Sequence, residues 1–507
     1  MPELIVALVT DTHVRPVYDD GQLAFASDAS HNDRNGAAAA AIRAMKPDLV
    51  VHLGDVVHPI PTLDTHADAL EVATEIYSDL GAPMVVVPGN HDVGDKAASA
   101  YAPVLVSDSR EFFMQTWGAP FQSFDMAGLH FVTIDGGLLG AATNDGEAQW
   151  AWLEKDLRSN QARCFVFTHY PPFLVDPEED EHYDNLAPSV RSRLLDLLVE
   201  NEVEALFSGH VHRFFLNELS GVELVSLPSV VFTRPEYSAL RPVPPSDAEN
   251  GRDDREQLGV CKLTITESGY RLEVVRTQSE TPGPPAAPKP LGVWLRHRLG
   301  RRAELPYGDL DALNRKVARD EAALLQVLDL GLSHVRLPLA DLRDPDVRFR
   351  LEWLKRHGVA AHVFSGGLPT TEQRELLHEH GHEASWEVVI RDGETVELEA
   401  LLKDWDGPQF AVGRIGKNPD STSRYFSHFP REGFDPSHPA LEGLAAAGVR
   451  RFAFRIAAEG SVDEQVETVA RRVERLGVTA TCHVELPFLS EAQMQTDDAL
   501  VTDRVLD

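Results

Sequence analysis

Short apolar runs in the first half of the chain predict buried strands, and polar residues follow each of them at once. The five runs lie at residues 4–9, 49–53, 84–87, 164–167 and 203–207. The polar clusters that follow them are Asp11-Thr12-His13, Gly54-Asp55, Gly89-Asn90-His91-Asp92, Thr168-His169-Tyr170 and Gly209-His210-Val211-His212. In an open α/β sheet, ligands bind at the edge where the strands end. The pattern therefore predicts that these clusters lie at a binding site.

Other segments of the first half complete an α/β pattern. Helical spacing or helix end signals predict helices at residues 36–45, 63–80 and 189–201, and apolar runs predict closing strands at 222–227, 259–266 and 270–276. Residues 234–257 are rich in Pro, Asp and Arg and predict a long surface loop.

The second half repeats strand and helix patterns at a length typical of a parallel sheet. Apolar strand runs lie at residues 292–295, 334–339, 359–364, 386–390, 410–415, 451–456 and 479–486, with helical runs between them, for example at 312–330, 349–357 and 462–476. Repeated βα units of this kind favour a (β/α) barrel. Seven strand runs are one fewer than a complete barrel needs, so either one strand is unrecognised or the barrel is incomplete or open.

The proline-rich stretch between the halves predicts a domain boundary. A chain of 507 residues favours at least two domains. Residues 281–290 are a stiff, extended linker by composition, so we expect one domain over residues 1–280 and a second over 291–507. Each side has its own apolar runs, and we therefore expect the two sides to fold independently.

Composition narrows the possible partners. The formal net charge is −33, which disfavours binding to a nucleic-acid polymer, although it also suits a solvated surface. The three cysteines form no C-x-x-C pattern, so disulfides and a structural zinc site are not expected. There is no signal-peptide pattern and no apolar run of about 18 residues. We expect a cytoplasmic protein without membrane contact, and a homo-oligomer is possible.

The polar clusters of the first half supply the ligand types of a two-cation hydrolytic centre. Asp11 and His13 are two residues apart, so in an extended strand their side chains share a face. Asp55 has two oxygens and could bridge two ions, and Asn90 offers a neutral oxygen. A lone Asp-x-His or Gly-Asp motif is common and usually marks a turn or a helix cap. All five motifs in this order are far harder to explain by chance.

Residues 1 to about 275 resemble the calcineurin-like metallophosphoesterase superfamily, and most closely its bacterial class III cyclic-nucleotide phosphodiesterase type. The resemblance lies in the motifs D-x-H, G-D, G-N-H-D, a lone H and G-H-x-H, and in residues 131–137 and 149–153. It implies a four-layer αββα sandwich and two metal ions, which would be Mn²⁺, Fe²⁺/Fe³⁺ or Zn²⁺. The first metal site would use Asp11, His13, Asp55 and His212. The second would use Asp55, Asn90, His169 and His210. His91 would protonate the leaving oxygen, and Asp92 would hold His91.

The expected activity is hydrolysis of a small phosphodiester by metal-activated hydroxide, the substrate being a cyclic nucleotide or a glycerol- or alkyl-type diester. A phosphomonoesterase on the same core is an alternative, and so is a ligand-binding or regulatory protein with a weakly active metal centre. Substrate choice would lie in residues 15–35 and in the acidic loop after Tyr170, where residues 176–184 could form a rim over the metals.

We expect the second half to be a scaffold, an oligomerisation domain or a substrate-selecting domain, and the alternative is a second catalytic site. Polar residues near its predicted strand ends are Arg336, His362, Ser365, Arg391, Arg414, Arg455, His483 and Glu485. Several are basic in an acidic chain, which would suit an anion pocket, although solvent-facing arginines are commoner.

Overall fold

The computed structural model describes residues 3–17, 23–96, 107–240, 249–278, 291–306, 315–381, 384–416, 431–457 and 461–485, and the statements below concern these ranges. The chain divides into two compact units. The first unit is Met1–Thr281 with Arg301–Leu325, and the second is Pro282–Gly300 with Gln326–Asp507. The predicted linker at 281–290 lies outside the described residues. Every helix in the described ranges is too short or too polar to traverse a lipid bilayer.

Two β-sheets and seven helices form most of the first unit. The strands are β1 (Leu4–Val9), β2 (Leu49–His52), β3 (Met84–Val86), β4 (Gln122–Met126), β5 (Leu129–Thr133), β6 (Arg163–Phe167), β7 (Ala205–Ser208), β8 (Phe215–Leu219), β9 (Val222–Ser226), β10 (Gly259–Thr266) and β11 (Gly269–Arg276). The helices are α1 (His31–Met45), α2 (His66–Tyr77), α3 (Asn90–Val93), α4 (Ser107–Trp117), α5 (Gly136–Leu139), α6 (Asn144–Ser159) and α7 (Pro188–Glu200). The strand order is β11-β10-β1-β2-β3 in one sheet and β4-β5-β6-β7-β9-β8 in the other.

The two sheets pack face to face, with a layer of helices on each outer side. Phe165 of β6 and Phe207 of β7 contact the ring of Tyr270 on β11, with ring centroids 5.8 and 5.9 Å apart. Helices α1 and α2 bury apolar side chains against the five-stranded sheet, and α6 and α7 do so against the six-stranded sheet. Burying the apolar face of each helix and both faces of each sheet requires four layers, so the predicted αββα sandwich is confirmed.

The five apolar runs that precede the polar motifs are all strands, and parallel pairing brings the motifs together. β1, β2 and β3 pair in parallel in one sheet, and β6 and β7 pair in parallel in the other. Parallel neighbours end on the same side, so the loops that follow them lie together at one edge of each sheet.

After β11 the chain contributes one strand to the second unit and then returns to the first. β12 (Gly292–Trp294) belongs to the second unit, whereas β13 (Arg301–Glu304) and β14 (Val317–Asp320) form an antiparallel hairpin of the first unit. The domain boundaries 1–280 and 291–507 remain a prediction about the sequence. The compact first unit of the structure has other bounds, because it also includes the segment Arg301–Leu325 that carries the hairpin.

The expected helix over residues 312–330 was wrong in its first part. Val317–Asp320 is extended in β14, and the helix α8 begins only at Ala322 and ends at Asp329. Ala318 of β14 is fully buried in an apolar cluster that includes Val211 and Phe215. Tertiary burial of this short segment therefore overrides its helical periodicity.

The second unit is built on a parallel sheet. Its remaining strands are β15 (His334–Pro338), β16 (Ala360–Gly366), β17 (Ser385–Arg391), β18 (Phe410–Gly416), β19 (Arg431–Glu432), β20 (Arg451–Ala457) and β21 (Thr479–Glu485). Its remaining helices are α9 (Pro345–Arg356), α10 (Thr371–His380), α11 (Thr395–Leu402), α12 (Ala440–Ala446) and α13 (Val462–Leu476). The order is β12-β15-β16-β17-β18-β20-β21, with β19 pairing with β18. All seven predicted strand runs lie in this sheet.

A contact across the sheet shows that it curls. β17 and β21 are three positions apart in the sheet order, which corresponds to about 14 Å in a flat sheet. Nevertheless, Nε2 of His483 on β21 lies 3.4 Å from Oε2 of Glu387 on β17. The two side chains can meet only if the sheet bends toward itself. Among the described residues, β21 and β12 do not pair, so the sheet is curled and open there. The expected (β/α) barrel, whether complete with an unrecognised strand or incomplete, stays a prediction.

Candidate metal centre

Seven polar side chains from the ends of five strands meet at one edge of the first unit. They are Asp11, His13, Asp55, Asn90, His169, His210 and His212, and all are buried. The first four follow β1, β2 and β3 in one sheet, and the last three follow β6 and β7 in the other. The structure thus brings together every residue that the motifs predicted as a metal ligand.

The backbone at five of these residues is left-handed. The φ angle is 50° at Asp11, 38° at His13, 54° at Asp55, 68° at His210 and 54° at His212. Residues with a Cβ adopt this conformation at a cost of about 1–2 kcal/mol. Asp11 and His13 therefore do not share the face of an extended strand, and that expectation was wrong. Their side chains converge because the chain turns sharply at each of them.

Asp11, His13 and His212 form a first cluster of donor atoms. Nε2 of His212 lies 3.2 Å from Oδ1 of Asp11 and 3.2 Å from Nε2 of His13. Nε2 of His13 in turn lies 3.7 Å from Oδ2 of Asp55. One nitrogen or oxygen atom from each of the three residues of the cluster lies close enough to the others for all three to bind one cation.

Asp55, Asn90, His169 and His210 form a second cluster. Nε2 of His169 lies 3.4 Å from Oδ2 of Asp55 and 3.2 Å from Oδ1 of Asn90. Nδ1 of His210 lies 3.0 Å from Oδ1 of Asn90 and 3.2 Å from Nε2 of His169. The same Asp55 oxygen faces both clusters.

The donor set fits divalent cations. Buried polar atoms in proteins normally have hydrogen bonds, yet Oδ1 of Asp11, which faces Nε2 of His212 in the first cluster, is buried and forms no hydrogen bond among the described residues. Burial lowers the pKa of His13 and of His210 well below the usual value, so both imidazoles are neutral and keep a lone pair. Neutral imidazoles and carboxylates are ligands that Mn²⁺, Fe²⁺ and Zn²⁺ accept.

His91 is oriented by a backbone carbonyl. Its Nδ1 donates to the carbonyl oxygen of His58 at 2.5 Å, and its ring centroid lies 4.6 Å from that of His13. The carboxylate of Asp92 instead accepts the backbone N–H groups of Asp55, Val56 and Gly89 at 2.8, 3.0 and 2.9 Å. The expectation that Asp92 holds His91 was therefore wrong. Asp92 fixes the loop that carries Asp55.

The acidic segment at residues 176–184 borders the second cluster. The hydroxyl of Tyr183 accepts a hydrogen bond from Nδ2 of Asn90 at 3.3 Å, and its carbonyl oxygen accepts one from Nε2 of His210 at 3.1 Å. Nζ of the buried Lys96 donates to the carbonyl of Tyr183 at 3.2 Å and holds the segment from the other side. The rim that the sequence suggested is therefore present over this cluster.

Two further histidines near the centre were missed. The ring centroid of His58 lies 5.5 Å from that of His13, and that of His31 lies 5.6 Å from that of His58. Nε2 of His31 lies 3.3 Å from a carboxylate oxygen of Asp28. The only signal for His58 was its position three residues after Asp55, and His31 near the start of α1 carried none.

In the second unit, three of the candidate residues surround a glutamate that was not predicted. Oε2 of the buried Glu387 accepts from Nε of Arg336 at 3.1 Å and from Nε2 of His362 at 3.0 Å, and His483 lies beside it. One glutamate inside an apolar run gives no motif.

The remaining candidates of the second unit differ in burial and in contacts. The hydroxyl of Ser365 accepts from the indole of Trp386 at 3.0 Å, and Arg391 is exposed. Arg414 and Arg455 are half-buried, and the side chain of Glu485 lies outside the described residues.

Gly54→Ala should disrupt the centre more than Gly81→Ala. Both glycines are left-handed, with φ of 95° and 75°, so both substitutions are strained. A Cβ at Gly54 would also lie 2.7 Å from the backbone nitrogen of Gly89 and 2.7 Å from Nδ1 of His169, whereas one at Gly81 meets nothing within 4 Å. We expect Gly54→Ala to lose about 1–3 kcal/mol more of the free energy of unfolding, measured by urea denaturation. Equal losses would show that the contact at Gly54 has room to relax.

Cation binding should release about one proton per chain at pH 7. Burial lowers the pKa of His169, but the carboxylate of Asp55 outweighs burial and raises it to about 9. His169 is therefore protonated at pH 7 without a cation, and a cation must displace that proton. Affinity should rise as the pH increases toward 9. Calorimetric titration with Mn²⁺ in buffers of different ionisation enthalpy measures the proton count, and no dependence on the buffer would contradict it.

Comparisons with known proteins agree with this arrangement of motifs. Residues 4–214 match the family model for calcineurin-like phosphoesterase. Over 179 residues the chain is 35% identical to the serine/threonine-protein phosphatase CPPED1 of Mus musculus, which covers 33% of this chain and 54% of that protein. Over 242 residues it is 24% identical to a probable cyclic nucleotide phosphodiesterase of Rhodococcus erythropolis, which covers 46% of this chain and 73% of that protein.

The chain spans about half the length of the CPPED1 phosphatases it matches. Among solved structures, a dimetal phosphatase from Danio rerio is 16% identical, covers 54% of this chain and 96% of that chain, and has a TM-score of 0.39. The family-model match thus assigns residues 4–214, less than half of this chain, to a calcineurin-like phosphoesterase domain.

Proposed function

We propose that the first unit is a binuclear metal-dependent phosphoesterase that hydrolyses a small phosphodiester, such as a cyclic nucleotide or a glycerol- or alkyl-type diester. The position of Asp55 carries the proposal. Its Oδ2 faces Nε2 of His13 at 3.7 Å and Nε2 of His169 at 3.4 Å, between the two donor clusters. A carboxylate placed between two sets of ligands suits a bridge between two cations.

Each cation would have four protein ligands. Asp11, His13, Asp55 and His212 would hold the first, and Asp55, Asn90, His169 and His210 would hold the second. Bound cations of this kind neutralise the charge of a phosphate ester and lower the pKa of water, so that hydroxide is present near neutral pH. The residues themselves exclude bulk water, since all seven are buried, and they fix the reacting groups in one place.

His91 is the candidate general acid. Its Nδ1 is committed to the carbonyl of His58, so the proton on Nδ1 is fixed and Nε2 remains for the leaving oxygen. The ring of His91 lies next to that of His13, which places His91 beside the first cluster of donor atoms. To act as the acid, His91 would carry a second proton on Nε2, and this imidazolium would give that proton to the leaving alkoxide and keep the one on Nδ1.

The charge balance around the site supports a diester. Arg15 and Arg252 are paired with Asp28, and Arg234 is paired with Asp184. A phosphomonoester carries more negative charge than a diester. Arginine side chains that are already paired with carboxylates add little attraction for that extra charge. The diester proposal therefore needs no cationic group beyond the metals.

A phosphomonoesterase is the alternative, and one observation favours it. The CPPED1 relatives that match at 30–35% identity are named phosphatases, whereas the relative named as a cyclic nucleotide phosphodiesterase matches at 24%. The same metal core can serve both reactions. The preference between a monoester and a diester would therefore be set by how the surrounding loops bind the leaving group and the charge of the substrate.

The test is metal content and turnover of the whole purified chain. Elemental analysis should find about two divalent ions per chain, and Mn²⁺ should support faster hydrolysis of a bis-aryl phosphate or cyclic nucleotide than of an aryl monophosphate. Asp55→Asn should lower metal affinity by at least about 10²-fold, because it removes the shared charge. Asp68→Asn, at an exposed position of α2, is the control. Full activity in chelator would exclude the mechanism, and faster turnover of the monoester would favour the alternative.

His91→Ala should slow the hydrolysis of esters with poor leaving groups by about 10²–10⁴-fold, because an alkoxide needs a proton as it leaves. A nitrophenolate hardly needs one, so its ester should lose far less. Steady-state rates for an alkyl and a nitrophenyl diester measure the difference in the same variant. Equal losses on both substrates would mean that His91 supports the metal site rather than the leaving group.

A further inference from the structure

The hairpin of β13 and β14 brings a lysine from beyond the proline-rich segment to the back of the second cluster. Lys316, next to β14, is 1% exposed at its side chain, and its Nζ lies 2.6 Å from Oδ2 of Asp184, which is fully buried. Oδ1 of the same Asp184 lies 3.9 Å from Nε2 of His210. The buried ammonium of Lys316 thus pairs with a carboxylate that lies beside His210, a proposed ligand of the second cluster.

Asp184 is held by three donors, of which two, Arg234 and Tyr237, lie on one segment and the third is Lys316. Nη1 of Arg234 and Nζ of Lys316 pair with its two oxygens, and the hydroxyl of Tyr237 donates to Oδ2 at 2.8 Å. Glu236 lies 2.7 Å from Arg234 and 3.5 Å from Lys316. Among the described residues, these two cations and two anions balance. Removing Lys316 would leave one net negative charge buried behind His210, and an unpaired buried charge is strongly unfavourable.

Two contacts joined by the backbone of Tyr183 and Asp184 link Lys316 to the orientation of His210. Asp184 directly follows Tyr183, whose carbonyl oxygen accepts from Nε2 of His210 at 3.1 Å. That bond fixes the proton on Nε2 and turns Nδ1 toward Oδ1 of Asn90, 3.0 Å away. Holding the side chain of Asp184 therefore holds the carbonyl that orients His210.

The apolar side of the hairpin supports the same motif. Val211, between the two histidines of the motif, is fully buried in a cluster with Leu305 and Ala318 of the hairpin segment. His210 and His212 on either side of it have left-handed φ angles of 68° and 54°. A backbone in that conformation persists only where its surroundings determine it, and the hairpin provides part of those surroundings.

We propose that Lys316 is a positioning residue for the second cation site, acting through Asp184 and Tyr183 on His210. This inference rests on the proposed function, because it assumes that the second cluster holds a cation. It also makes the hairpin a working part of the phosphoesterase unit, so a chain that ends near residue 281 lacks a component of its own site.

The test is calorimetric titration of the full-length, metal-free chain with Mn²⁺ at fixed pH. In Lys316→Met the dissociation constant of the second ion should rise about 10–100-fold, which is the usual effect of removing a residue that orients a metal ligand. The dissociation constant of the first ion should change less than about twofold. Lys316→Arg keeps the charge and should recover most of the affinity. Lys262→Met is the control, because Lys262 on β10 is partly exposed and its Nζ forms only a long ion pair, 4.0 Å from Oε2 of Glu273.

Circular dichroism of each metal-free variant separates folding from positioning. If Lys316→Met does not fold, Lys316→Gln, which keeps a donor for Asp184, is compared in its place. Unchanged affinity for both ions, equal losses for both, or failure of both variants to fold would overturn the positioning role. A wild-type chain that binds one ion or none would overturn the proposed function as well, whereas two ions in the wild type with no effect in the variants would overturn this inference alone.

Discussion

The crowding of donor atoms around Asp55 is the constraint on which the first unit depends. Nitrogen and oxygen atoms that cannot all satisfy one another lie 3.0–3.7 Å apart in a buried space, and five of the residues that carry them have a left-handed backbone. Both features cost free energy in the absence of a cation. The scaffold must therefore hold the arrangement against its own tendency to relax.

Two sheets are suited to that task because each supplies strand ends that cannot move separately. β1, β2 and β3 share one set of ladder hydrogen bonds, β6 and β7 share another, and aromatic packing between the sheets joins them. The loops are then locked one by one. Asp92 accepts three backbone N–H groups and secures the turn at Asp55, although burial and the adjacent Asp55 raise its pKa to about 7. Asp92 stabilises the loop through the three hydrogen bonds that its carboxylate accepts.

Much of this could be predicted from the sequence, and the failures share one cause. Apolar runs located the strands, and the residues after them supplied all seven ligand candidates, because both signals are local. The turn at Asp11, the carbonyl of His58 that orients His91, and the burial of Ala318 depend on segments distant in the chain. Glu387 of the second unit, held by Arg336 and His362 across neighbouring strands, was hidden for the same reason. Local patterns carry no information about such partners.

The order of the chain also differs from the order of its compact units. The polypeptide leaves the first unit after β11, adds β12 to the second, and returns with β13 and β14 before the rest of the second unit follows. A buried lysine on the returning segment balances a carboxylate behind His210. Charge balance in a buried place is all-or-none for each group, because one missing partner leaves a whole uncompensated charge. The charge balance around Asp184 therefore depends on a residue from beyond the proline-rich segment. For this reason, the half of the sequence that carries the motifs does not coincide with the compact first unit.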